Sequence, residues 1–140
     1  MTRPYHVDGT QPAEDEIFVF GSNEAGRHGA GAAAAAYKLY GAEYGNGLGL
    51  SGRSYAIPTK DFFLETLPLY IIEHCVNTFL EFAEGAQDKK FFMTRIGCGL
   101  AGYSDYQIAP FFRGAPTNIN FPEEWKYYLE MVGPDEDDEE

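Results

Sequence analysis

The hydrophobic positions of this chain change their period several times, and each change marks an element. Residues 16–20, Glu-Ile-Phe-Val-Phe, form a short β-branched and aromatic run that stops at Gly21 and predicts a buried strand. Beyond a loop over 21–31, residues 32–40 begin with five alanines and predict a helix. Five glycines between 41 and 52 predict a loop or wide turn. Residues 54–59 read as a second strand, with Pro58 near its end, where a missing N–H donor matters least. The clearest periodicity follows: Leu69, Ile72, Val76, Phe79 and Ala83 share one helical face. Thr66 is the expected cap of that helix, Pro68 falls in its first turn, and Gly85 should end it. Residues 90–95 are a third strand, and 96–103 a second glycine loop. Ser104 and Gln107 have capping-box spacing for a short helix that Pro110 should kink. A last strand over 117–121 and a helix opened by Pro122-Glu123-Glu124-Trp125 complete the pattern.

Strands and helices therefore alternate, which predicts an α/β domain with a mainly parallel sheet and helices on both faces. Three segments follow: an irregular arm over 1–15, the α/β domain over 16–132, and an acidic tail over 133–140. Ligands of such sheets sit at the carboxyl ends of strands, in the loops that lead to helices. Both glycine loops fall at such places.

Composition adds a constraint on partners. The net charge is −12, and residues 135–140 are all acidic; without those six, 16 acids still face 10 bases. A body this acidic lacks the footprint of a protein that grips duplex nucleic acid or an anionic membrane. No apolar run approaches the roughly 20 residues of a membrane span, and the first residues do not resemble a signal peptide. Cys75 and Cys98 lack metal-site spacing, and the expected location is a reducing cytoplasm. Neither a metal nor a cofactor is expected. A small anion is compatible with this charge, because backbone N–H groups at a helix start hold phosphate without lysines.

The first loop reads Gly21-Ser22-Asn23-Glu24-Ala25-Gly26-Arg27-His28-Gly29-Ala30-Gly31. Glycines let a ligand approach the backbone, and the alanine helix offers free N–H groups at its start. The partial charge there favours a phosphate by about 0.3 to 1 kcal/mol when exposed. A tight turn before a close-packed alanine helix would use the same residues. The loop contains neither a Walker motif nor a dinucleotide fingerprint. The second loop, Arg95-Ile96-Gly97-Cys98-Gly99-Leu100-Ala101-Gly102-Tyr103, has three glycines directly after an apolar strand and could form an anion-binding nest or a flexible turn. Two such loops at one sheet edge suit a diphosphate flanked by sugars. His28 is a candidate phosphate contact, Arg95 a brace or a phosphate contact, and Tyr103 a cover for a ribose or base. His74 reads as structural, and the pairs Phe62-Phe63, Phe91-Phe92 and Phe111-Phe112 read as core.

Thr94-Arg95-Ile96-Gly97-Cys98-Gly99-Leu100 resembles the phosphate-binding loop of macrodomains, especially the subfamily that releases ADP-ribose from acidic side chains. Gly29-Ala30-Gly31-Ala32 resembles the first glycine loop of that fold, and Ile57-Pro58-Thr59-Lys60 its strand-plus-lysine segment. The order and spacing of the three agree over about residues 16–113. The resemblance implies a three-layer macrodomain-like fold and ADP-ribose, or an ADP-ribosylated molecule, as ligand. It implies that Gly29, Ala30 and Gly31 line the diphosphate and distal ribose from one side. Gly97, Cys98, Gly99 and Leu100 would line it from the other, with Ser22, Asn23, Ala101 and Gly102 nearby. Lys60 matches the lysine that attacks the sugar in the hydrolytic subfamily. That subfamily has an acid after Gly-Cys-Gly-Leu, where this chain has Ala101; Asp105 is the candidate substitute and Asp61 a further one. Asp15 is the nearest acid for the base. Three functions follow as alternatives: an ADP-ribosyl hydrolase, a binding module without turnover, and an interaction module on the same scaffold. A different nucleotide-binding α/β family also suits Val19-Phe20-Gly21-Ser22.

Overall fold

In the computed structural model, which describes residues 3–131, six strands form one sheet in the order β1-β6-β5-β2-β4-β3. The strands are β1 (Tyr5–His6), β2 (Glu16–Asn23), β3 (Gly49–Ser51), β4 (Ser54–Lys60), β5 (Lys90–Met93) and β6 (Ile119–Pro122). All neighbours run parallel except β3, which pairs antiparallel with β4. The helices are α1 (Gly31–Leu39), α2 (Leu69–Glu84) and α3 (Asp105–Ile108). The α/β class and the parallel sheet expected from the alternating pattern are both present. No helix among the described residues is long and apolar enough to cross a membrane.

Strand alternation divides the interior into two cores. Val19, Tyr55, Ile57, Phe91, Met93, Ile119 and Phe121 point to one face and pack on the α2 stripe, including Ile72, Val76, Phe79 and Ala83. Phe18, Phe20, Ala56 and Phe92 point to the other and meet Ala33, Ala36 and Tyr40 of α1. The connection β2-α1-β4 moves one way across the sheet and β4-α2-β5 moves back past β2. Crossovers of one hand that run in opposite directions lay their helices on opposite faces, as the two cores require. The order thus reverses at β2, and a crevice opens above its carboxyl end.

Several elements differ from the sequence expectation. The arm is not wholly irregular: Tyr5 and His6 pair with Phe121 and Pro122, and Arg3 donates to the carbonyls of Ala115 and Pro116 at 2.7 and 2.9 Å. A two-residue strand whose partner lies over a hundred positions away has no periodicity to read. Strand β2 runs on through Gly21 to Asn23, so Ser22 and Asn23 belong to the sheet. Part of the glycine-rich 41–52 segment is β3, joined to β4 by a two-residue turn led by Gly52 at φ +60°. Thr66 does not cap α2; Pro68 occupies that position, and Thr66 Oγ1 instead donates to the Ala101 carbonyl. The capping box of Ser104 and Gln107 forms as expected, and the chain tightens into a 3-10 turn at Ala109–Phe112, where Pro110 lacks an N–H. In place of a regular last helix, a 3-10 turn (Glu123–Trp125) leads into a π turn (Tyr127–Met131). Phe62 and Phe63 are exposed rather than core, and His74 lies on the exposed side of α2. The expected tail, 133–140, lies outside the described residues.

The end of α2 is held by one side chain. The Asn118 amide lies 3.1, 3.2 and 3.1 Å from the carbonyls of Ala83, Ala86 and Lys89. Replacing Asn118 by Ala is expected to cost about 1 to 3 kcal/mol, the scale of leaving such acceptors unsatisfied. Urea denaturation of the two proteins measures it; equal midpoints would show that water satisfies these carbonyls equally well.

Candidate functional site

The crevice above β2 widens into a cleft of about 920 Å³. The ends of β2, β4 and β5 form its base, and Phe18 and Phe92 line it. One wall is the first loop and the start of α1, a second is the 97–101 loop, and a third is the arm from His6 to Gln11.

The first loop is stiffened by its own side chains. Asn23 Nδ2 donates to the Arg27 carbonyl and Asn23 Oδ1 accepts from the Arg27 N–H, both at 2.9 Å. Gly26 has φ +71°, and a Cβ there would lie 2.3 Å from backbone atoms of Gly45 and Asn46, so only glycine fits. His28 is buried between the edges of Phe20 and Tyr44, with Nε2 2.9 Å from the Glu43 carbonyl and 3.1 Å from that of Asn46. It braces the loop from behind and does not line the cleft, contrary to the phosphate-contact expectation. Ser22 Oγ likewise donates to the Gly47 carbonyl at 2.6 Å. Helix α1 starts from Ala30, which offers no side-chain cap, and no acid lies in its first turn. Its first N–H groups, at the cleft-lining residues Gly31, Ala32 and Ala33, are therefore open to a ligand.

The second loop is pinned at both ends. Gly97 has φ +77° and packs against Ile108. Tyr103 donates from its hydroxyl to the Leu67 carbonyl at 2.7 Å, and Thr66 Oγ1 to that of Ala101 at 3.0 Å. Tyr103 is thus a strut outside the cleft rather than a cover for sugar or base; Gly102 also lies outside. Between the pins, the N–H groups of Gly99, Leu100 and Ala101 have no acceptor among the described residues. Gly29 and Gly99 stand apart from every other described glycine. Neither has a positive φ, and a Cβ at either would meet nothing within 4 Å. Neither backbone conformation nor packing demands glycine there, yet both line the cleft from opposite loops.

Charge is distributed unevenly. Arg95 Nε and Nη2 donate to Asp105 at 2.9 and 2.7 Å, and Nη1 lies 3.3 Å from Asp8. Trp125 Nε1 donates to Asp105 at 2.7 Å. Burial works against the Asp105 carboxylate, but Arg95 and the indole N–H outweigh it and hold its pKa below the usual carboxylate range. Asp105 lies outside the cleft and is fully engaged, so it does not supply the missing acid near Ala101. Asp61 is also committed, accepting from the N–H groups of Phe63 and Glu65. Asp15 pairs with Lys90 at 3.2 Å, away from the cleft. Burial, with the Asp105 charge, pushes the Cys98 thiol up to about 12, which makes it a poor nucleophile. Lys60 and Arg27 line the cleft and form no ion pair among the described residues.

Ten of the expected positions thus converge on the cleft with Lys60 and Arg95: Ser22, Asn23, Gly29, Ala30, Gly31, Gly97, Cys98, Gly99, Leu100 and Ala101. The sequence reading missed the arm residues His6, Asp8, Thr10 and Gln11, along with Thr59, Phe92 and Thr94. No local signal marks the arm, because its position comes from pairing with β6.

Two outcomes follow from these charges. The depressed Asp105 pKa means its stabilisation is present above about pH 4, the unfolded value, and is lost as pH falls through the lower folded value. Asp105→Asn should therefore be less stable than the native chain at pH 7, with the gap closing towards pH 3, as read by thermal melts across pH. A gap independent of pH would show that the carboxylate charge plays no part. At pH 8, Cys98 should react with a maleimide many times more slowly than a free cysteine; labelling at the free-thiol rate would contradict the buried environment. Comparison with known protein families, with curated proteins and with solved structures gives no match to this chain.

Proposed function

We propose that this chain is a macrodomain-like module that binds ADP-ribose, or a related nucleotide diphosphate-sugar, between its two glycine loops. The observation that carries the reading is the pair Gly29 and Gly99, which leave open space on both sides of one cleft without serving backbone or packing. Unfilled N–H groups from the start of α1 and from residues 99–101 flank that space, which suits the oxygens of a diphosphate. The cleft volume lies in the range of small-molecule sites. Asp8 offsets Arg95, so Lys60 and Arg27 leave the cleft locally cationic within an acidic protein, and a polyanion gains from that field.

Binding without turnover is the form of the reading that these residues favour. In the hydrolytic subfamily that these loops resemble, the acid–base partner of the lysine is a carboxylate. Asp105 is held by Arg95 and Trp125, Asp61 by its own turn, and Asp8 by Arg95. Lys60 acts in this reading as a cation for the phosphates or the sugar.

Calorimetric titration tests it, with AMP and NAD as controls. ADP-ribose should bind with Kd on the order of micromolar. Gly99→Glu should fold normally, since its Cβ meets nothing, and should bind about a hundredfold more weakly through like-charge repulsion. Lys60→Ala should weaken binding by roughly tenfold, the scale of one charged contact. Failure of all three nucleotides to bind, or full binding by Gly99→Glu, would overturn the assignment.

A further inference from the structure

We propose that His6 reads the base of the bound nucleotide and selects one that carries an exocyclic amine, as adenine does. The inference rests on the nucleotide reading of the cleft and adds to it the residue that selects the base.

The case begins at Glu16, a carboxylate that can only accept hydrogen bonds. One oxygen takes the Ala13 N–H at 2.8 Å, and the other lies 3.1 Å from Asn120 Nδ2. That contact fixes the Asn120 amide with its NH₂ towards Glu16 and its oxygen towards His6. Asn120 Oδ1 is 2.9 Å from His6 Nδ1, so Nδ1 must carry the proton. In the neutral ring Nε2 is then an acceptor. It has no partner among the described residues and is not enclosed, and His6 lines the cleft. The ring itself cannot turn freely, because it stacks on Phe92 with centroids 3.8 Å apart and planes 17° from parallel. The sheet register produces this arrangement. Asn120 sits beside Phe92 on the ladder between β5 and β6, and His6 beside Pro122 on the ladder between β1 and β6, which places all three side chains together.

A lone pair held in place on a cleft-lining ring can discriminate among bases by hydrogen-bond polarity. The 6-amine of adenine can donate to Nε2, whereas the 6-oxo group of hypoxanthine would face it with a second acceptor. A site built to pair with a donor rejects a ligand that lacks one, because its own polar atom is left unpaired. His6 is a specificity residue in this scheme; Asn120 and Glu16 are positioning residues.

The test compares ADP-ribose with inosine diphosphate ribose, which differ at the base alone, by calorimetric titration of the native chain and two variants. The native chain should prefer ADP-ribose by about tenfold or more. His6→Phe, which keeps a ring on Phe92 and loses the acceptor, should bind the two ligands within about twofold. Glu16→Gln should narrow or reverse the preference. In that variant the new amide oxygen takes the Ala13 N–H and the new NH₂ faces Asn120, which turns the Asn120 NH₂ towards His6 and moves the ring proton to Nε2. Equal binding of both ligands by the native chain, or an undiminished preference in His6→Phe, would overturn the inference and leave the nucleotide site standing. Binding of neither ligand would overturn both.

Discussion

The parts that shape the cleft meet at the guanidinium of Arg95. Its forked donors hold Asp105 at the start of α3, its third nitrogen reaches Asp8 in the arm, and Asp105 also takes the indole of Trp125 beyond β6. A strand end, the second loop, a helix start, the terminal turns and the arm are thereby fixed relative to one another by a single partly buried charge. Paired bonds of this kind carry angular information as well as energy. A lysine in its place would keep the charge and lose the fork. Removing Arg95 would leave Asp105 held by the Trp125 N–H and release Asp8, so the elements joined here would lose their common anchor.

That node also decides what the cleft offers a ligand. Because two acids already claim Arg95, positive potential in the cleft comes from Lys60, Arg27 and the unfilled backbone N–H groups. Main-chain donors have a compensating advantage: their positions are set by the sheet and by pinned turns, so little freedom is lost when an anion arrives. In the proposed reading, an acidic protein would in this way hold a polyanion without a basic surface that would also attract nucleic acid.

The elements that were legible in the sequence are those whose signal is local. The α2 stripe from Leu69 to Ala83, the capping box at Ser104, and the glycine loops after β2 and β5 are all written in spacing and residue type. What was not legible depends on partners distant in the chain. Tyr5 and His6 become a strand only because β6 provides an edge, and Thr66 leaves its capping role because the Ala101 carbonyl lies within reach. His28, Tyr103 and Asp105 show the same limit at the site. Each has the right chemistry for ligand contact, and each is spent on a carbonyl or a guanidinium that only the tertiary fold brings near. Glycine spacing marks the two loops in the sequence, but which glycines serve turns and which leave space follows from φ and from what a Cβ would meet. Gly26 and Gly97 belong to the first kind, Gly29 and Gly99 to the second.

The pairing of β1 with β6 has a consequence for the order in which the molecule is made. The wall of the cleft that carries His6 and Asp8 is synthesised before the rest of the sheet, yet the edge it adds to appears more than a hundred residues later. Contacts of such separation close late, after the loop between them has been ordered by shorter-range pairings. A nascent chain can therefore assemble β2, α1 and β4 while the arm remains without a docking place. The cleft gains its third wall only when β6, the last strand to be synthesised, leaves the ribosome, so a complete cleft marks a domain translated through β6.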